Sequence, residues 1–329
     1  MDNTSSKHKI TKKAALGFSL STAVAVISAL AAVFSSVYRA SQLHTNIQAH
    51  HESPIAYFRT LFSEDYVARI YVTGLIADES DNYCQSWILQ TIEDLTDDTH
   101  NKGIILYVDS PGGGVYEADE VYLALMRYKA KKGAPVYAYF GPMAASGGYY
   151  ISCAADSIWA NRNTLTGSIG VVAGQFVDAT ELLEKIGVSS TTVHSGRNKL
   201  MGDLTEPMTD EQQQIMQAIS DECYEQFTSI VAESRSLPIE TVLSLADGRV
   251  YTASQAQENG LIDSIGSFED ALDAMMRREF DFAEYPLEDF YWQRRMTLYE
   301  FLMGSTKLQG KRTASPCLPF PAYYCPWQR

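Results

Sequence analysis

Ser146 is the residue around which this chain's chemistry can be assembled. It stands in Gly141-Pro142-Met143-Ala144-Ala145-Ser146-Gly147-Gly148-Tyr149-Tyr150, with small residues on both sides and a helix-forming run after it. A serine that opens a helix presents its hydroxyl beside backbone N–H groups that have no partner within the helix. Upstream, Asp109-Ser110-Pro111-Gly112-Gly113-Gly114 is a glycine turn, able to supply a second set of N–H donors. A hydroxyl nucleophile with N–H donors to hold an oxyanion is the apparatus of acyl transfer.

Near neutral pH a serine needs a base. His44, His50 and His51 fall in a polar stretch that reads as a stalk rather than a metal site. His100 lies in the polar turn Asp97-Asp98-Thr99-His100-Asn101, and His194, at the end of an expected strand, is an alternative base. A lysine can serve instead if apolar surroundings keep it neutral, and Ser–Lys pairs are a variant of the triad logic. Lys129, Lys131 and Lys132 cluster where a helix ends and face its dipole. Lys185 sits beside Glu184, and Lys102 is on a polar turn. Lys199, between Ser195-Gly196-Arg197-Asn198 and Leu200-Met201-Gly202, is the candidate base.

The elements that must position these residues alternate between strand and helix. Val67–Val72, Gly103–Val108 and Val136–Phe140 read as buried strands, the last two as nearly continuous apolar runs of the kind parallel sheets require. Helical spacing covers Tyr83–Leu95 and Val115–Lys129, and a further helix opens at Ser146. Three strand–turn–helix units imply parallel strands joined by crossovers, an α/β fold. Short strands are expected at Ser157–Ala160, Ile169–Val172 and Ser190–Val193, and a helix over Ala179–Ile186. A long amphipathic helix runs from Asp210 to Arg235, with Thr209 and Gln212 forming a capping box. Further helices begin at Pro238 and Phe268.

Residues Ala14–Tyr38 carry no charge. As a helix they would reach about 37 Å, enough to cross a hydrocarbon core of about 30 Å. Lys7, Lys9, Lys12 and Lys13 precede the run and Arg39 follows, so the positive-inside bias places the N-terminus in the cytoplasm and the remainder across the membrane. The expected organisation is a cytoplasmic tail (1–13), a transmembrane helix (14–38), a linker (39–65), a catalytic domain (66–279) and a partly disordered extension (280–329). A net charge of −14 argues against wholesale nucleic-acid binding. The five cysteines show no metal-ligand spacing. Cys317 and Cys325 could close a small disulfide loop in an oxidising compartment, and Cys153 reads as buried packing.

Four blocks in order carry a resemblance to a known family. They are Asp109-Ser110-Pro111-Gly112-Gly113, Met143–Tyr150, Thr166-Gly167-Ser168-Ile169-Gly170-Val171, and Ser195-Gly196 through Lys199. From about Val67 to Asp270 the chain resembles bacterial signal peptide peptidase A, the membrane-anchored serine protease family that also holds the SohB-type peptidases. The resemblance implies a ClpP/crotonase-like fold, with Ser146 as nucleophile and Lys199 as general base. Ser168 would orient the lysine amine, and the N–H groups of Gly113, Gly114 and Gly147 would hold the oxyanion. No metal or organic cofactor is implied. A single copy of the motifs matches the short form, whose protomers assemble into a ring or dome with grooves shared between neighbours. The substrates implied are released signal peptides and other apolar peptides, at the extracytoplasmic face of a bacterial inner membrane. Two other readings share parts of this pattern: a crotonase-type acyl-CoA enzyme, which would not need Ser146 or Lys199, and a non-catalytic scaffold.

Overall fold

The computed structural model describes residues 64–293 and 322–324. The expected transmembrane helix at 14–38, the tail before it, nearly all of the linker, and Cys317 and Cys325 lie outside the described residues. Among the described residues no helix is long and apolar enough to cross a membrane.

In chain order the elements are β1 (Tyr66–Thr73), α1 (Gln85–Asp97), β2 (Asn101–Ser110), β3 (Gly112–Gly114), α2 (Val115–Lys132), β4 (Val136–Ala145) and α3 (Gly147–Ser152). There follow β5 (Ser157–Ala160), β6 (Leu165–Gly167), α4 (Thr180–Lys185), α5 (Asp210–Arg235), α6 (Ile239–Leu245), β7 (Val250–Thr252) and α7 (Ala253–Glu258). The chain closes with β8 (Ser264–Ile265), α8 (Phe268–Glu279), β9 (Leu287–Phe290) and β10 (Ala322–Tyr324).

Eight strands form one mixed sheet in the order β7-β6-β4-β2-β1-β9, with β5 also on β4 and β8 on β5, and β3 and β10 form a second, two-stranded sheet. β1, β2 and β4 pair in parallel, as continuous apolar runs require, since both faces of such strands must be covered. The cover on one side comes from α1, α2 and α5. Ile88, Ile92, Val121, Leu125, Tyr128, Phe227 and Val231 are buried in the same cluster as Ile70, Leu106 and Ala138. Tyr137, Tyr139, Ala271 and Met275 fill a second cluster on the α8 side. Burying each large apolar side chain is worth about 1.5–3 kcal/mol, which is what holds the short helices to the sheet.

Helix ends follow local chemistry. Capping boxes open α5 (Thr209 with Gln212), α7 (Thr252 with Gln255) and α8 (Ser267 with Asp270). Gly133 ends α2 in the left-handed region at φ 67°, where Lys129, Lys131 and Lys132 sit in the last turn. Lys129 there pairs with Asp156 at 2.6 Å. Cys153 closes α3 and is buried, and its surroundings push the thiol pKa up to about 12, so it is packing and not a nucleophile.

Two expected strands do not form. Ile169–Val172 makes no strand; the chain pairs one turn earlier, at β6. Ser190–Val193 is irregular and exposed. Its β-branched residues favour a pleated surface only where a neighbouring strand and a core exist to receive them, and this chain offers neither there. The sheet also continues beyond residue 279, because β9 pairs in parallel with β1 from Val67↔Leu287 to Ile70↔Phe290. Arg69 and Asp289 clamp this edge with a bidentate pair at 2.6 and 2.8 Å.

Candidate active site

Ser146 sits at the junction of β4 and α3, where the sheet hands the chain to a helix. Its backbone is forced into φ 53°, ψ −115°, a conformation that L residues other than glycine rarely adopt. Such strain costs about 1–3 kcal/mol and persists only where the surroundings enforce it. Here they do. Its N–H donates to the Gly167 carbonyl at 2.7 Å, and its carbonyl accepts the first helical bond, from the Tyr150 N–H, at 2.9 Å. The pattern Ala144-Ala145-Ser146-Gly147-Gly148 is not Gly-x-Ser-x-Gly, yet the chain makes a comparably sharp strand-to-helix turn. Gly148 permits it by close approach: a Cβ there would lie 3.2 Å from the Ser110 carbonyl oxygen.

Ser146 is 1% exposed and its Oγ has no hydrogen-bond partner. A buried, unsatisfied hydroxyl costs about 1–3 kcal/mol and marks a group waiting for a partner.

β6 brings Ser168 to the same place. Met143, Ala144 and Ala145 pair with Leu165, Thr166 and Gly167, so the two serines follow directly from paired strand ends. Thr166 Oγ1 donates to the Ala144 carbonyl at 2.6 Å and stiffens the pairing. Ser168 is 6% exposed, has φ 51°, and donates its N–H to the Arg249 carbonyl at 2.8 Å.

The glycine turn is braced from below. Ser110 Oγ donates to the Gly74 carbonyl at 2.6 Å and accepts from the Gly112 N–H at 3.1 Å. Ile76 then lies along β3: its N–H donates to the Gly112 carbonyl and its carbonyl accepts the Gly114 N–H, both at 2.9 Å. This corrects the expectation for Gly114, whose N–H is spent on Ile76 and not free for a substrate. Strand backbone groups alternate from edge to edge, so the Gly113 N–H faces away from Ile76. A side chain at Gly113 is excluded outright, since a Cβ would fall 1.8 Å from the Ile76 carbonyl oxygen. Gly147, the first residue of α3, has an N–H with no acceptor inside the helix.

Asp109 braces the bulge in β4 that precedes Ser146. The β2–β4 register slips between Val108↔Phe140 and Ser110↔Ala144, so Gly141–Met143 bulge out. The Asp109 carboxylate accepts the Met143 N–H at 3.3 Å across the bulge. Burial pushes this carboxyl above its ordinary range, an effect the Met143 N–H partly offsets.

Lys199 is not brought to this constellation. It is exposed, in a turn after the irregular stretch that stands where a strand was expected, and among the described residues no hydrogen bond joins it to Ser146 or Ser168. The described residues leave 184–197 and Lys199 exposed, so they do not supply the burial a neutral lysine needs. His194 is exposed too, its ring resting on the Gly196 carbonyl at 3.1 Å. Among the described residues no group of His, Cys, Asp and Glu could hold a metal ion. Sequence reasoning missed Ile76 and Arg249, which act through backbone carbonyls; no side-chain signal marks such roles.

A strained serine at a strand-to-helix turn of a mixed sheet, with a glycine strand nearby, marks the candidate site of this α/β protein. Residues 128–280 match the model of peptidase family S49. A protein of Enterococcus faecium named for signal peptide peptidase SppA is 38% identical, over 66% of this chain and 64% of that one. A protein of Synechocystis named as a protease is 39% identical over 62% of this chain and 71% of its own length. Protease 4 of Haemophilus influenzae is 34% identical over 78% of this chain, which spans 42% of it. Among solved structures, a ClpP1 mutant from Listeria monocytogenes aligns with 62% of this chain and 94% of its own, at 17% identity and a TM-score of 0.42. The chain belongs to peptidase family S49, among the SppA-type proteases.

Proposed function

We propose that the protein is a membrane-anchored serine endopeptidase that degrades released signal peptides and other apolar peptides at the extracytoplasmic face of a bacterial inner membrane. The observation that carries this reading is the strained, buried and unpartnered hydroxyl of Ser146. Ser146 Oγ attacks the peptide carbonyl and gives its proton to neutral Lys199. The N–H groups of Gly113 and Gly147 take the oxyanion, Lys199 returns the proton to the leaving amine, and water releases the acyl group by the reverse route. Ser168 orients the lysine amine. Cleavage of this kind draws on side chains and backbone alone.

The base joins the nucleophile on assembly of several copies. Support comes from the segment that carries Lys199: Phe176, Val177, Leu182, Ile186 and Val188 are exposed, and Val193 is 95% exposed. So much apolar surface within one stretch of chain is the mark of an interface. A ring or dome of like protomers would cover it and supply the apolar surroundings that lower a lysine's pKa. The uncharged run at Ala14–Tyr38 supports the anchor and the sidedness.

The test is peptidase activity of the full chain in detergent on an apolar peptide, for wild type, Ser146→Ala and Lys199→Ala. Each variant is expected to lose about 10³-fold or more, since such groups act as a unit. Equal cleavage by all three would end the proposal; loss in Ser146→Ala alone would move the base to His194.

A further inference from the structure

The helix that Ser146 opens, α3, is only six residues long. A helix of that length is not stable on its own backbone bonds, so its side chains must hold it in place. Two adjacent tyrosines do so, and both are fully buried. Tyr149 donates its hydroxyl to the Leu261 carbonyl at 2.7 Å. Tyr150 reaches two other helices at once. Its hydroxyl donates to the Asp119 carboxylate on α2 at 2.6 Å and accepts from the Gln226 amide on α5 at 2.7 Å. Its ring packs on Tyr122 of α2 and Phe227 of α5, with centroids 5.6 and 5.1 Å away.

The placement of α3 against α2 bears on the chemistry. α2 starts at Val115, directly after Gly114 of the glycine strand, so Asp119 lies one turn beyond the strand that carries Gly113. Tyr150 lies one turn beyond Ser146, whose carbonyl accepts the Tyr150 N–H at 2.9 Å. An oxyanion is stabilised only where donors and nucleophile keep a fixed spacing. We propose that Tyr150 is a positioning residue for the reaction, whose hydroxyl, through Asp119 and Gln226, sets α3 against α2 and so fixes the spacing of Ser146 Oγ and the Gly113 N–H. The inference rests on the peptidase reading above.

A phenolic hydroxyl suits this role. It has one proton to give and lone pairs to accept with, so it joins a carboxylate and an amide at one point. Its bond to the carboxylate is charge-assisted, and it is directional in a way that ring packing is not. The strain at Ser146 makes the lock necessary, because a residue at φ 53° relaxes unless it is held on both sides. Gly167 takes its N–H from the sheet, and Tyr150 engages its carbonyl from the helix.

The test compares the full chain in detergent as wild type, Tyr150→Phe, Asp119→Asn and Tyr128→Phe. Tyr128 is the control. It too is fully buried, and it donates its hydroxyl to Asn101 at 2.5 Å, at the opposite end of β2 from the glycine turn. Both tyrosine variants are expected to lower Tm by about 2–4 °C. Only Tyr150→Phe is expected to lower kcat, by about tenfold or more, with KM for an apolar peptide unchanged. Its affinity for a peptide boronate, which forms a tetrahedral adduct on Ser146 and draws on the oxyanion donors, should fall by the same factor. Asp119→Asn keeps an oxygen to accept the hydroxyl proton and should hold kcat within about threefold of wild type. Amide exchange at Gly147–Tyr150 should quicken in Tyr150→Phe and not in Tyr128→Phe. Equal kcat in the two tyrosine variants would overturn the proposal, and so would a fall in kcat of Tyr150→Phe with boronate affinity intact. A wild-type protein that cleaves no peptide would sink the peptidase reading instead. The exchange comparison would then still decide whether Tyr150 holds α3, and equal exchange in the two variants would overturn that as well.

Discussion

The Ser146 N–H donates to the Gly167 carbonyl at 2.7 Å, which locks Ser146 to the strand end that carries Ser168. Both serines are held at left-handed φ, 53° and 51°. The strain is enforced by β6, which sits between β4 and β7 and pairs with each. Ser168 is tied onward to Arg249, so the two hydroxyl-bearing residues belong to one braced unit and not to two independent turns.

That strain should be recoverable as stability. Ser146→Gly places at φ 53° the residue that tolerates it and removes a buried hydroxyl without a partner. The relief is offset by glycine's greater freedom in the unfolded chain, about 0.5–1 kcal/mol. A net gain of about 1 kcal/mol is expected, with complete loss of peptidase activity. Chemical denaturation of the two proteins checks it. Equal or lower stability of Ser146→Gly would mean that the turn is relaxed.

Two glycines of similar appearance in the sequence should respond in opposite ways. Gly113→Ala drives a Cβ to 1.8 Å from the Ile76 carbonyl oxygen, so β3 must move off Ile76. We expect a loss of activity of about 10²–10³-fold, the scale of removing one oxyanion donor, and about 1–3 kcal/mol of stability. At Gly133 a Cβ meets nothing within 4 Å but φ is +67°. Gly133→Ala should cost about 1–2 kcal/mol and leave kcat/KM unchanged. Steady-state kinetics beside thermal melts separates the two.

Most of the sheet was legible because its signals are local. Ile104–Val108 and Val136–Phe140 are too apolar to be anything but buried, and Thr209 with Gln212 marks the start of α5 by its own hydrogen bonds. Ser146 and the glycine turn were legible by residue type. The commitment of the Gly114 N–H to Ile76 was not, because it is a backbone contact between segments far apart in sequence. Nor was β9, whose Leu287–Phe290 carries two acidic residues and becomes a strand only because β1 leaves an edge open beside it. Ser190–Val193 erred the other way: β-branched composition suggested a strand where no partner strand exists. Lys199 was picked out by motif, yet the described residues leave it exposed.

Asp109 predicts a pH dependence of definite sign. Burial raises its carboxyl above the ordinary 3.8 in the folded state, so the folded protein binds the proton more tightly than the unfolded chain. The associated stability is fully present below pH about 4 and is lost as pH rises through the raised value. Asp109→Asn keeps an oxygen to accept the Met143 N–H and removes the titration. Carboxylates such as Asp247 and Asp270, held below their ordinary range by bonds to Arg249 and to the Ser267 N–H, act in the opposite sense, so the variant must be read as a difference from wild type. That difference in Tm is expected to be near zero at pH about 3.5 and to favour Asp109→Asn at pH about 7. A flat difference across the range would show that the carboxyl is solvated.

The exposed face of α4 gives the assembly its sharpest test. Leu182 in α4 and Ile186, the residue that caps it, lie one turn apart, 60% and 63% exposed, and belong to none of the buried clusters among the described residues. Replacing either with aspartate therefore removes nothing that folds the protomer, and circular dichroism and Tm of the dispersed chain should stay within about 0.5 kcal/mol of the parent's protomer stability. In an assembly the same change buries a charge without a partner. Leu182→Asp with Ile186→Asp is expected to shift the protein to smaller species in sedimentation and to lower activity by about 10²-fold or more, the cost that the proposed pairing of Ser146 with Lys199 across the assembly sets. Raising protein concentration should restore part of that activity, which a defect confined to one chain would not do. Full activity in a dispersed protomer would show that Lys199 reaches Ser146 within a single chain, and that the apolar face of α4 serves some other partner.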